Sequence, residues 1–178
     1  MRPDMTATRR FRLSIGKVAA ALVTAALLVS AYLALAPTKS VPKATFVLLS
    51  GQKLTTADLR GKVYLVNFWA TSCATCIKEM PQMIDTYNKF KGKGFDFIAV
   101  SMKYDPPVYV VNYTRTHGLP FKVAMDSDGG LAQQFDNVNM TPTTFVVDKK
   151  GEILKRILGE PDFPALHHLI EQALAQAS

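Results

Sequence analysis

The spacing of apolar residues changes period several times along the chain, and each change marks an element. Phe46 to Leu49 reads as a strand, Ser50-Gly51-Gln52 as a turn, and Thr55 to Leu59 as a short helical turn closed by Gly61. Val63 to Trp69 is apolar throughout except for Asn67, the pattern of a central strand buried on both faces. From Cys73 to Phe90 the period lengthens. Ile77, Met80, Ile84 and Tyr87 recur at helical spacing and predict an amphipathic helix, kinked at Pro81 and ended by Gly92 and Gly94. Phe95 to Ser101 is a further strand, and Pro106-Pro107 starts a second helix that runs to His117 with Gly118 as its stop. A short strand, Phe121 to Met125, and a short helix, Leu131 to Phe135, follow. Thr143 to Val147 and Ile153 to Leu158 read as strands joined by the hairpin turn Asp148-Lys149-Lys150-Gly151. Asp162 caps a last helix with Phe163, Leu166, Leu169, Ile170 and Leu174 on its apolar face. Strands alternating with helices and closing in a hairpin and helix predict an α/β sandwich around a mixed sheet.

The pattern at the N-terminus is different. Val18 to Ala36 carries no charge and shows no polar face, and as a helix it would span about 28 Å, close to the hydrocarbon thickness of a bilayer. Arg2, Arg9, Arg10, Arg12 and Lys17 precede it against the single Asp4, which places residues 1–17 in the cytoplasm and all that follows 36 across the membrane. Residues 18–36 are therefore expected to form one transmembrane anchor, and 37–43, with two prolines and two lysines, a short linker. For a bacterial chain the domain from 44 to 178 then lies in the periplasm or at the cell exterior, and the periplasm is the expected place. A cleaved signal peptide is the competing reading, since Ala34-Leu35-Ala36 has the form of a cleavage site. The length of the apolar run and Pro37 directly after that cut favour the uncleaved anchor.

Charge and composition narrow the function. The formal net charge is +7, but residues 44–178 hold fourteen Lys and Arg against thirteen Asp and Glu, so the domain is nearly neutral and a nucleic-acid surface is not expected. With 48% hydrophobic residues the chain has the material for a core. Its only two cysteines, Cys73 and Cys76, stand at the start of the long helix. There the unpaired N–H groups and the positive end of the helix dipole favour a thiolate on the first, and the second lies one turn on, within reach of a disulfide. Cys73 is expected to be the exposed nucleophile and Cys76 the resolving thiol. A structural staple across so short a loop would gain little. Half a zinc site is the other use of such a pair, and no second cysteine pair exists to complete one.

The run Val63-Tyr-Leu-Val-Asn-Phe-Trp-Ala-Thr-Ser-Cys-Ala-Thr-Cys76, the helix after it, and Thr141-Pro142-Thr-Thr-Phe-Val-Val-Asp148 before a hairpin resemble the thioredoxin fold. More narrowly, the N-terminal apolar segment, the continuation through Glu79 and Pro81, and the added segment between the two halves resemble membrane-anchored TlpA/ResA-type thiol-disulfide oxidoreductases. The resemblance implies a thioredoxin fold over residues 44–178, a mixed central sheet flanked by helices, with an N-terminal strand extension and a central insertion. It implies dithiol-disulfide exchange with protein partners and neither an organic cofactor nor a metal. Glu79 would move the proton to or from Cys76, which requires burial to raise its pKa. Asn67 stands where thioredoxin has a buried aspartate; an amide takes no proton, so that duty passes to Glu79 and Asn67 is expected as a hydrogen-bonded core amide.

Thr141-Pro142 matches the family's cis-proline, beside which the Thr141 backbone would pair with an extended substrate segment. Ser72, Ala74 and Thr75 complete the expected contact surface, and Trp69, most simply strand-end packing, could help shape it. Ser72 replaces a tryptophan common in the family, and the Ala74-Thr75 dipeptide differs from the Gly-Pro of ordinary thioredoxin, so the redox poise is this chain's own. The implied direction is reduction of exported protein cysteines, such as those of apocytochrome c or copper-site proteins of respiratory oxidases, with a membrane thiol-disulfide protein restoring the dithiol. The alternative from another class is a tethered metallochaperone holding Cu(I) on the same two thiolates. His117, His167 and His168 are expected in surface or packing roles, and Lys78 as a solvated helix lysine.

Overall fold

A computed structural model describes residues 22–26 and 39–176. The chain divides into two units, Met1–Pro37 and Thr38–Ser178. In the first, residues 22–26 are helical, with Leu22 and Val23 exposed. The remainder of the expected 18–36 anchor lies outside the described residues, among which no helix is long and apolar enough to cross a membrane.

The second unit is built on a five-stranded sheet. Its strands are β3 (Val63–Trp69), β4 (Phe95–Ser101), β5 (Lys122–Met125), β6 (Thr143–Val147) and β7 (Ile153–Leu158), in the order β5-β4-β3-β6-β7. β4 runs parallel to β3 and to β5, whereas β6 is antiparallel to both β3 and β7, so the sheet is mixed. Every residue of β3 is buried, as its unbroken apolar run requires of a central strand. Alternation along β3 divides the core. Tyr64, Val66 and Phe68 face one side, where they meet Phe46, Leu59, Phe135 and Phe145. Val63, Leu65 and Trp69 face the other, against the long helix α1 (Ala74–Phe90) and the last helix α4 (Phe163–Ala175).

Between the halves lie α2 (Pro107–Thr116), the edge strand β5 and the short helix α3 (Gly130–Gln134). Left-handed glycines at 92 and 94, with φ of 80° each, turn the chain from α1 into β4, a conformation open to few other residues. A small antiparallel ribbon of β1 (Thr45–Val47) and β2 (Lys53–Thr55) precedes the sheet. β2 was not expected: three residues with polar ends give no period, and the strand exists through its backbone pairing with β1.

Two further readings change. Residues 39–43, expected as linker with little to bury, lie against the domain: Val41 donates its N–H to the Gly151 carbonyl at 2.9 Å and its side chain is in the core, while the Lys39 carbonyl accepts from Ile153 N–H at 2.8 Å. In α1 the fully buried stripe is Cys76, Glu79, Met80, Met83, Thr86 and Phe90, with Ile77, Ile84 and Tyr87 on its margin. Glu79 thus points into the molecule. The helix continues through Pro81, whose ring is exposed.

Phe68 sits with its ring 5.5 Å from Phe135 and 6.1 Å from Phe145, on the side of the sheet away from α1. Replacing it by alanine is expected to destabilise the domain by about 3–5 kcal/mol. Urea unfolding monitored by circular dichroism measures this, and the cysteine chemistry of the remaining folded protein is expected to be unchanged.

Candidate active site

One end of the sheet collects the chemistry. β3 ends at Trp69 and leads into the turn Ala70-Thr71-Ser72, closed by a 3.1 Å bond from Cys73 N–H to the Ala70 carbonyl. Cys73 has extended backbone geometry and is the N-cap of α1, its Sγ accepting from Cys76 N–H at 3.2 Å. A sulfur here meets one of the donors that the first turn of a helix leaves unsatisfied. Cys73 and Cys76 form a disulfide with Cα atoms 5.2 Å apart; Cys73 is partly exposed and Cys76 is buried. Ser72, Ala74 and Thr75 are exposed around them.

Beneath the pair lies a buried polar cluster. Asn67 is directly opposite Thr144 in the β3–β6 register, and its amide donates to Thr144 Oγ1 at 2.9 Å and to Glu79 Oε1 at 3.1 Å. All three residues are completely buried. Both amide protons are thereby used, so Asn67 holds the carboxyl in place and exchanges nothing itself. Glu79 Oε2 and Asn67 Oδ1 have no partner among the described residues. Burial raises the Glu79 pKa to about 8; the Asn67 bond opposes the rise and the Glu160 carboxylate adds to it. Glu160 reaches this region from the loop after β7 and pairs with Lys78 at 2.7 Å, while the Lys78 side chain stays 73% exposed, a solvated helix lysine as expected.

Thr141 and Pro142 arrive at the same end of the sheet, because β6 starts at Thr143 opposite Phe68. The Thr141–Pro142 bond is cis, Pro142 is buried, and Thr141 is partly exposed. The Pro142 carbonyl accepts from Gly159 N–H at 2.8 Å, whereas neither backbone group of Thr141 has a partner among the described residues. Tyr104, 56% exposed, lies 3.3 Å from Thr141 Oγ1 through its hydroxyl, and Met140, 58% exposed, precedes Thr141.

Trp69 is strand-end packing and does not reach the contact surface. It is fully buried, with its ring 5.3 Å from that of Tyr113, so it supports the site from within. Tyr104, Met140, Thr144 and Glu160 belong to this end of the sheet and were not expected; a single exposed tyrosine or methionine in a loop carries no periodic signal. The histidines are apart: His117 stacks on Tyr113, His167 contacts Thr86 and Phe90, and His168 contacts Gln172. Among the described residues no group of three or more His, Cys, Asp or Glu is arranged to hold a metal.

Known proteins share both sequence and fold. The Redoxin family matches residues 36–170. The thiol-disulfide oxidoreductase ResA of Bacillus anthracis is 37% identical over 122 residues, 68% of this chain and 69% of that protein. ResA of Bacillus subtilis is 32% identical over 118 residues, 66% and 65% of the two chains. A thioredoxin-family structure from Neisseria meningitidis superposes with a TM-score of 0.74 at 41% identity, covering 80% of this chain and 94% of that one. A thiol:disulfide interchange protein from Chlorobium tepidum gives 0.72 at 28% identity, covering 79% and 99%. The fold is thioredoxin-like, and such oxidoreductases work through a redox-active cysteine pair rather than a cofactor.

The buried Glu79 carboxyl has a stability consequence with a definite sign. Its folded pKa of about 8 lies above the ordinary 4.5, so the folded state holds the proton more tightly and loses stability as pH rises between those values. The oxidised protein is expected to lose on the order of 3 kcal/mol between pH 4.5 and 7 from this group. In Glu79→Gln that slope should be absent, as read from urea midpoints across the pH range.

Proposed function

Because the chain belongs to the Redoxin family, among the TlpA/ResA-type thiol-disulfide oxidoreductases, we propose that it is a membrane-anchored reductant of disulfides in exported proteins. The observation that carries this reading is the asymmetry of the cysteine pair: one sulfur partly exposed at a helix cap, the other buried one turn on beside a buried carboxyl.

In the dithiol form the Cys73 thiolate attacks one sulfur of a partner's disulfide. The partner's S–S bond breaks, its second sulfur leaves as a thiolate and takes a proton, and a mixed disulfide remains. Cys76 then gives its proton to Glu79 and attacks Cys73 Sγ. The partner leaves with both cysteines reduced, and the Cys73–Cys76 disulfide is formed. Ionised Glu79 is the proton acceptor, and its raised pKa keeps the two protonation states close in energy near neutral pH. A membrane thiol-disulfide protein restores the dithiol.

The partner's chain lies along Thr141, whose unpaired backbone N–H and C=O offer the start of a strand pairing, with Ser72, Ala74 and Thr75 as neighbouring contacts. The basic N-terminus and the uncharged 18–36 run support an inner-membrane anchor with the domain in the periplasm. There the substrates are cysteine proteins such as apocytochrome c or copper-site proteins, and the tether raises the effective concentration for those assembled at the membrane.

Cys73→Ser is expected to abolish reduction of a disulfide substrate, and Cys76→Ser to accumulate the mixed disulfide, seen by non-reducing electrophoresis. A protein that fails to exchange disulfides yet binds Cu(I) tightly would instead be the metallochaperone. For the anchor, the full chain expressed in bacteria should remain with the membrane after an alkaline wash and be cut by protease added to spheroplasts. Release into the soluble periplasmic fraction would contradict it.

A further inference from the structure

Asp105 is one of the most buried carboxylates of the described residues, at 2% exposure, and its hydrogen bonds converge on the turn before Cys73. Its Oδ2 accepts from Thr71 N–H at 2.7 Å and from the Ser101 hydroxyl at 3.2 Å, and its Oδ1 accepts from the Thr71 hydroxyl. No Lys, Arg or His contacts it among the described residues; the only donors are these neutral groups.

Thr71 is the second residue of the turn that closes from Cys73 N–H onto the Ala70 carbonyl, so fixing Thr71 fixes the path into the N-cap. Asp105 is itself held: its N–H donates to the Met102 carbonyl at 2.9 Å, and Met102 N–H donates to the Trp69 carbonyl at 3.0 Å. The end of β4 and the end of β3 are thus tied together on either side of the redox turn. A partly exposed turn of small residues would otherwise be free to move the sulfur off the helix axis. A carboxylate is suited to the task because it accepts three bonds at once, whereas an amide has a single acceptor oxygen.

We propose that Asp105 is a positioning residue for the redox reaction, clamping Thr71 so that Cys73 Sγ stays aligned with the amide groups at the head of α1. The inference rests on Cys73 being the nucleophile. It also separates two opposed effects of the same side chain. As a negative charge, Asp105 would disfavour a nearby thiolate; as a clamp, it favours the thiolate by keeping it on the helix cap.

The test is the pH dependence of Cys73 alkylation by iodoacetamide in the reduced full-length protein, with the modified residue identified by mass spectrometry. In Asp105→Asn the rate at pH 7 is expected to fall roughly three- to tenfold and the thiol midpoint to move up, because a helix terminus stabilises an aligned charge by about that factor. Thr71→Val, which keeps the backbone contact and removes the hydroxyl, should move both in the same direction by less, and serves if Asp105→Asn does not fold. Asp126→Asn is the control. Asp126 is equally buried and accepts from Leu131 and Ala132 N–H, away from the turn, so it should lower the melting temperature while leaving the Cys73 rate within about twofold.

An unchanged or lowered Cys73 midpoint in folded Asp105→Asn overturns the clamp. A loss of rate in Asp126→Asn as large as in Asp105→Asn overturns it too, since general loosening would then explain both. A wild-type Cys73 that is no more reactive than Cys76 would instead overturn the functional reading, and the clamp with it.

Discussion

Cys73 Sγ takes the place of a capping oxygen at the head of α1, accepting the amide of Cys76. An α-helix leaves its first N–H groups unpaired, and their combined dipole favours negative charge on whatever caps them. Making that cap a sulfur turns a structural necessity into a chemical one: the atom that satisfies the helix is the atom whose ionisation the chemistry needs. The surroundings follow from holding it there. β3 must be fully buried to deliver the turn rigidly, and the helix must bury the next cysteine to keep the resolving sulfur out of solvent.

In the proposed mechanism a thiolate cap needs a complementary site for the proton that leaves the second cysteine. Asn67 and Thr144 face each other across β3 and β6, and the amide between them fixes one Glu79 oxygen while leaving the other unpartnered. With one oxygen unpartnered and no cation beside it among the described residues, a carboxyl at this depth holds its proton well above the usual range. Its cost in folding stability at neutral pH is the expense of keeping a titratable group under the cysteines. An amide at 67 is consistent with this division of labour, because two ionisable carboxyls in one pocket would disfavour each other's charge.

Much of this was legible in the sequence. β3, β4, β6 and β7 fall at the bounds their residues predict, since runs such as Val63–Trp69 and Thr143–Val147 are bracketed by glycine, proline or hairpin turns. The cysteine pair, Glu79 and Thr141–Pro142 were visible as a motif. What was hidden depended on contacts between distant residues. The stripe on α1 was read from Ile77, Met80, Ile84 and Tyr87, yet its deepest positions include Glu79 and Thr86, whose polarity masks them until Asn67 and His167 supply partners. β2 is held by backbone pairing alone, and Asp105 acts on a turn thirty-four residues earlier. No local pattern records either. Residues 39–43 looked like a tether because prolines and lysines bury little, but an edge of unpaired backbone beside Gly151 and Ile153 gave them a place to bond.

The coupling between the buried carboxyl and the cysteine pair is the claim most directly open to measurement, through the reduction potential of Cys73–Cys76 as a function of pH. Each proton taken up with the two electrons tilts the potential by about 30 mV per pH unit. If Glu79 exchanges its proton with the pair, its affinity differs between the oxidised and reduced forms. The slope in the wild type should then change near pH 8 and lose that change in Glu79→Gln. Superimposable profiles for the two proteins would show that the carboxyl is buried there for another reason.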